Sequence, residues 1–126
     1  MTDRRIIATD QAAAAVGPYS QGVSANGQVF ISGQLPINLE GAMPEGIEAQ
    51  TRQSLTNVLA VLKAAGSSQE LVLKTTVFLK NMDDFSAMNA IYAEVFGTSL
   101  PARSTIEVAR LPRNALVEIE CIACVG

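Results

Sequence analysis

Apolar and polar positions alternate most cleanly near the C-terminus. Read as a strand of period two over residues 116–125, Leu116, Glu118, Glu120 and Ile122 share one face, and Val117, Ile119, Cys121, Ala123 and Val125 share the other. The second set is uniformly apolar and predicts the core side, which leaves Glu118 and Glu120 on the less oily face. A shorter alternation precedes it, with Arg103, Thr105 and Glu107 pointing one way and Ser104, Ile106 and Val108 the other. Leu111-Pro112-Arg113-Asn114 turns the chain between these strands. Residues 71–80 are rich in β-branched and large apolar side chains and predict a central strand, with Lys74, Thr76 and Lys80 on one side.

Helical spacing governs two stretches. Over residues 47–65, Leu55, Val58, Leu59, Leu62 and Ala65 recur at helical intervals, and Gly66 stops the helix as its C′ residue. The opposite face carries Glu48, Gln50, Arg52, Gln53 and Asn57, as suits a helix laid on a sheet with that side toward water. Asp83 or Asp84 is placed to cap a second helix whose buried stripe is Phe85, Met88, Tyr92, Val95 and Phe96 and which ends at Gly97. At the other end, residues 4–8 predict a short strand, 9–15 are alanine-rich and unpatterned, and Gly17-Pro18-Tyr19-Ser20 fixes a turn. Residues 21–25 and 28–32 flank Asn26-Gly27, the preferred type I′ hairpin dipeptide. Residues 34–46, with Pro36, Gly41, Pro44 and Gly46, form a loop.

This order predicts an α+β sandwich in two layers, a mixed sheet with two helices on one face, formed as a single domain over residues 1–126. The other sheet face is then expected to bear Lys74, Thr76, Arg103, Thr105, Glu118 and Glu120, mixed with Phe78 and Ile122. A guanidinium and two carboxylates on adjacent strands of one face would be a candidate site. The same face could equally be solvated, as in many antiparallel sheets.

Composition sharpens the picture. Only 17% of residues are charged against 48% apolar, the balance of a chain that buries surface between subunits. The net charge of −3 gives no pull toward nucleic acid or an anionic membrane, so neither is expected as a partner. No apolar run has the length of a membrane span, and Met1-Thr2-Asp3-Arg4-Arg5 leads into no signal-peptide core, so the expected location is cytoplasmic. The absence of histidine excludes Ser-His and Cys-His mechanisms and most zinc sites, and no metal site is expected. Cys121 and Cys124 have the spacing of a redox CxxC motif, but in a strand residues three apart face opposite sides, so they read as two small hydrophobes.

Several stretches carry a resemblance in the same order along the chain. They are Gly17-Pro18-Tyr19-Ser20-Gln21-Gly22, Ile31-Ser32-Gly33-Gln34-Leu35-Pro36, Gln53-Ser54-Leu55-Thr56-Asn57 and Lys74-Thr75-Thr76-Val77-Phe78. Pro101-Ala102-Arg103-Ser104 and Glu107-Val108-Ala109-Arg110-Leu111-Pro112 complete the set. Together they resemble the RidA family, also called YjgF/YER057c/UK114, essentially from end to end. The resemblance implies a chorismate-mutase-like fold and a homotrimer with clefts between its subunits. It implies cofactor-free hydrolysis of reactive 2-imino and enamine acids, such as 2-aminoacrylate, to 2-oxo acids and ammonia.

It also implies roles. Arg103 matches the arginine that holds the substrate carboxylate, a task suited to a guanidinium because two parallel N–H bonds orient a planar anion. Glu118 matches the glutamate that positions water for attack on the imine carbon, with Glu120 as its rival two residues on. Tyr19, Gly33, Asn89 and Thr105 fall at substrate-binding positions. Read alone, Tyr19 is a packing residue in a turn, Gly33 a strand-end glycine and Asn89 a helix-surface amide. Two features depart from the pattern. Thr105 stands where many members carry cysteine, and the 97–100 loop is about three residues shorter than in relatives, which alters the rim of the cleft. Alternative functions are binding of 2-oxo acids or other small carboxylates without turnover, and an RNA-cleaving, translation-inhibiting activity that nine Lys+Arg against twelve Asp+Glu do not favour.

Overall fold

A computed structural model describes residues 3–126; Met1 and Thr2, where the segment read for a leader begins, lie outside the described residues. In chain order the strands are β1 (Arg5–Ile7), β2 (Gly22–Ala25), β3 (Gln28–Gln34), β4 (Val72–Leu79), β5 (Ala102–Glu107) and β6 (Val117–Cys124). Helix α1 (Ile47–Ala64) precedes β4, and α2 (Phe85–Phe96) joins β4 to β5. The strands form one sheet in the order β1-β2-β3-β6-β4-β5. Only β4 and β5 run parallel, as a strand–helix–strand connection requires, and every other pairing is antiparallel.

Local chemistry accounts for the turns. Asn26 and Gly27 both hold positive φ, 53° and 77°, which is the type I′ geometry expected of the hairpin. At the end of α1, Gly66 adopts φ 78°; its N–H donates to the Lys63 carbonyl and that of Ser67 to the Leu62 carbonyl. Those two bonds are a Schellman closure, reached here through glycine because no side chain opposes the left-handed backbone.

Both helices cover the same face of the sheet. Leu55, Val58, Val61 and Leu62 of α1 are buried with Val29, Ile31, Val77, Ile119 and Cys121 from the sheet. Each such side chain contributes roughly 1.5–3 kcal/mol by leaving water. The alternation of β6 is as predicted, with Val117, Ile119, Cys121 and Ala123 buried and Glu118, Glu120 and Ile122 on the uncovered face.

Four expectations need correction. Arg103 and Thr105 lie on the helix side of the sheet, because their partners in β4 are Thr75 and Val77, both buried under the helices. On this edge strand Ile106 takes the open face, 44% exposed, and Arg103 takes the other, against Phe85, Asn89 and Tyr92 of α2. Nor are the arginine and the carboxylates on adjacent strands, since β4 separates β5 from β6. The polar face of α1 is not all turned to water: Gln50 and Asn57 are buried. Gln50 donates to the Pro44 carbonyl and accepts from the Leu116 N–H, and Asn57 donates to the carbonyls of Leu35 and Ile37, so α1 pins the 34–46 loop through its polar side chains. Finally, α2 starts through a 3₁₀ turn (Met82–Asp84) capped by Asn81, whose side chain accepts from the Asp83 N–H at 2.9 Å, and neither Asp83 nor Asp84 caps it by side chain. Among the described residues no helix is long and apolar enough to cross a membrane.

The open face is ordered in rows across the strands. Phe30, Ile122, Lys74 and Ala102 form one row; Glu120, Thr76 and Ser104 the next; Glu118, Phe78 and Ile106 the third. Phe30 is 48% exposed, and a single chain leaves this mixture of phenyl, isoleucine and carboxylate groups uncovered.

Candidate active site

Two clusters of candidate residues form on different faces. The first surrounds Glu118. Its carboxylate abuts Gly33, where a Cβ would fall 2.7 Å from Glu118 Oε2, so the close approach of β3 to this side chain depends on glycine. The ladder between β3 and β6 shifts register between Ile31 and Gln34, and this bulge is what brings Gly33 against the glutamate. Tyr19, Gly33 and Glu118 line one recess of about 370 Å³, with Ser32, Leu35 and Pro112 in its wall. Gln21 holds the segment beside it: buried, it accepts from the Thr9 N–H and donates to the carbonyls of Thr9 and Ala13. The Tyr19 hydroxyl accepts from the Val16 N–H at 3.3 Å, and its ring is half exposed toward the recess.

Burial raises the Glu118 carboxyl above its ordinary range, and the neighbouring Glu120 charge adds to the shift. No cation of the described residues lies within salt-bridge distance of Glu118; the ion pair found there is Arg52–Glu94, on the helix surface. A carboxylate held this way can accept a proton from water more readily than one on an open surface.

The second cluster surrounds Arg103. Its guanidinium carbon sits 4.7 Å from the centre of the Tyr92 ring and 5.5 Å from that of Phe85, both on α2. Arg103 Nη1 donates to Asn89 Oδ1 at 2.7 Å. Phe85, Asn89 and Tyr92 come from one stripe of the helix, which is why a single element presents an amide and two rings to one side chain. No carboxylate of the described residues neutralises Arg103. Thr105, two residues on along the same strand face, buries its hydroxyl without a partner. Asn89, Tyr92, Leu100, Pro101 and Arg103 line a recess of about 420 Å³.

Of the predicted site residues, the structure brings Tyr19 and Gly33 to Glu118, and Asn89 and Thr105 to the Arg103 side. It does not bring the two groups together in one chain. Glu118 pairs with Phe78, which faces away from the helices, and Arg103 pairs with Thr75, which faces them. The rival Glu120 lies on the open face opposite Thr76 and is exposed. Sequence reasoning missed Tyr92 as a neighbour of Arg103, although its place on the Phe85–Asn89 stripe was the available signal. The cysteines diverge as read: Cys121 is buried, Cys124 lies on the other face, and both are free.

A family model described as Endoribonuclease L-PSP matches residues 9–125. The chain belongs to the RidA family. The 2-iminobutanoate/2-iminopropanoate deaminase of Escherichia coli strain K12 is 47% identical over 123 residues, covering 94% of this chain and 96% of that protein. The crystal structure of the E. coli YjgF gene product superposes with a TM-score of 0.92 at 46% identity, over 97% of this chain and 99% of that one. That of E. coli TdcF with bound serine gives a TM-score of 0.93 at 41% identity, over 97% and 99%. The α+β architecture is thus that of the RidA family.

Proposed function

We propose that this RidA-family chain, as one domain, hydrolyses reactive 2-imino and enamine acids to 2-oxo acids and ammonia, and does so as a homotrimer. Each cleft is formed by the Arg103 side of one subunit and the Glu118 side of the next. The observation that carries this reading is the division of the site: an uncompensated guanidinium stands on one face and a half-buried carboxylate on the other. Each half lacks what the other supplies, and a second copy is the economical way to join them. The exposed phenyl and isoleucine rows of the open face provide the surface for that contact. The name of the 47%-identical E. coli relative supplies the reaction class.

The chemistry asks for placement more than for power. Arg103 takes the substrate carboxylate by two parallel N–H bonds, and Glu118 holds a water against the iminium carbon. As the water oxygen bonds to carbon, its proton passes to Glu118. Glu118 then gives that proton to the nitrogen, making it a leaving group. The C–N bond breaks as the hydroxyl oxygen forms the carbonyl, and the hydroxyl proton departs with ammonia as ammonium. The iminium ion and water account for every atom and for the charge, so no cofactor enters the scheme. The raised carboxyl of Glu118 suits a group that must both accept and return a proton.

The test is an amino-acid oxidase that generates the imine in place, with semicarbazide trapping whatever survives. Added protein should lower the trapped adduct in proportion to its concentration. Binding of 2-oxo acid with no effect on the adduct would make the protein a carboxylate binder instead. Hydrolysis of RNA in place of imine would favour the activity for which the matching family model is described.

A further inference from the structure

We propose that Tyr92 is a positioning residue for Arg103. It fixes the plane of the guanidinium so that the edge carrying Nε–H and Nη2 is the one offered to the substrate carboxylate. The inference rests on the reading of Arg103 as carboxylate anchor and adds how that anchor is aimed.

Three contacts define the arrangement. The Tyr92 ring lies 4.7 Å from the guanidinium carbon and is itself buried, so it forms a floor rather than a mobile neighbour. Its hydroxyl shares a hydrogen bond of 2.6 Å with Thr75 Oγ1, and Thr75 is the cross-strand partner of Arg103 in the β4–β5 ladder. The ring under the side chain is therefore tied to the backbone row from which that side chain springs. The third contact is Asn89 Oδ1, which occupies Nη1 at 2.7 Å.

The consequence follows from the shape of guanidinium. Its five N–H groups form a rigid planar fork, and a carboxylate can take it end-on through Nη1 and Nη2 or side-on through Nε and Nη2. Asn89 takes one of the two N–H groups of Nη1, which leaves the side-on edge whole and the end-on pair sharing a nitrogen that is already bonded. Tyr92 fixes the plane in which that edge lies, and the buried Phe96 ring, its centre 5.0 Å from that of Tyr92, packs against it. Free rotation of the guanidinium would cost conformational entropy on binding, and pre-orientation removes that cost.

Two variants test the clamp from opposite ends. Tyr92→Phe keeps the ring and loses the bond, and Thr75→Val removes the same bond from the strand with little change of shape. The readouts are the Arg103 side-chain NMR signals, which report rotation about Nε–Cζ, and the affinity for 2-oxobutanoate. Each variant should speed the rotation several-fold and weaken 2-oxobutanoate binding by about three- to tenfold, the range of one hydrogen bond. Because the bond is the same one, the double variant should be no worse than either single variant. A purely structural tyrosine would lower the melting temperature and leave both readouts where they were. An unchanged Arg103 signal and affinity in a folded Thr75→Val protein overturns the proposal, as does full additivity in the double variant. Neither readout requires turnover. A chain that hydrolyses no imine but shows these shifts keeps the clamp and loses the proposed reaction, and the converse result separates them the other way.

Discussion

Arg103 and Glu118 project from opposite faces of one six-stranded sheet: the arginine stands in the row of Thr75, under the helices, and the glutamate in the row of Phe78, away from them. No rotamer of either side chain crosses a packed sheet. The proposed reaction uses both groups on one small molecule and draws them from two chains, so the proposed mechanism depends on that assembly.

Arginine chemistry at position 103 is the simplest point to probe. Arg103→Lys keeps the charge and loses the fork. Its catalytic efficiency should fall roughly ten- to hundredfold, the value of one charged hydrogen bond of about 1.5–3 kcal/mol. Arg103→Ala should fall further, because the carboxylate then enters a cleft that still holds Glu118. Steady-state rates on oxidase-generated imine, with circular dichroism to verify the fold, decide both.

Glu118 should set the acid side of the pH profile. Burial and the Glu120 charge raise its carboxyl, so the working carboxylate form is lost as pH falls through a value above the ordinary glutamate range near about 4.3. The rate should therefore be full at neutral pH and decline on acidification earlier than an exposed glutamate would dictate. Glu118→Gln should remove that limb and most of the rate while leaving 2-oxo acid binding close to wild type; Glu120→Gln should do less. A steeper loss in Glu120→Gln would exchange the two roles.

Gly33→Ala tests the support of that glutamate. The added methyl group would lie 2.7 Å from Glu118 Oε2, so the carboxylate must move. Because Gly33 is not among the glycines with positive φ, alanine meets no backbone penalty there and the fold should hold. The turnover number should drop at least about tenfold, with weaker effect on 2-oxo acid affinity. A rate equal to wild type would mean that the position of Glu118 is immaterial.

Thiol reagents should do nothing. Burial pushes the Cys121 thiol up to about 12, so almost none of it is thiolate near neutrality, and Cys124 is not in either candidate cluster. Thr105 fills the position where a reactive cysteine was a possibility. Rapid inactivation by iodoacetamide, prevented by a 2-oxo acid, would contradict this.

Much of the fold was legible because its elements are locally consistent. The two-faced β6, the Asn-Gly hairpin and the Gly66 closure each carry their own signal within a few residues. What was not legible depends on partners distant in the chain. Period two says which residues of β5 share a face but not which face is covered, and Arg103 and Thr105 lie on the covered one beside Thr75 and Val77. The position of β4 between β5 and β6 follows from a parallel pairing through α2, for which the strand itself carries no mark. Gln50 and Asn57 read as solvent-facing because polar side chains give no sign of carbonyls waiting in a loop. In the same way the sequence offered Arg103, Glu118, Tyr19, Gly33, Asn89 and Thr105 as one site, and the structure divides them into two halves.

The division itself can be measured by mixing two impaired variants. Arg103→Ala subunits keep the Glu118 half, and Glu118→Gln subunits keep the Arg103 half. Unfolded together at equal amounts and refolded, they should form mixed trimers in which a cleft between one subunit of each kind regains both groups. With closed threefold symmetry and random mixing, about a quarter of all clefts become wild type, so roughly a quarter of wild-type imine hydrolysis should return. The separately refolded variants should stay at their own low rates. Activity no greater than the sum of the two separate variants, in trimers shown by mass to be mixed, would contradict a cleft shared between subunits.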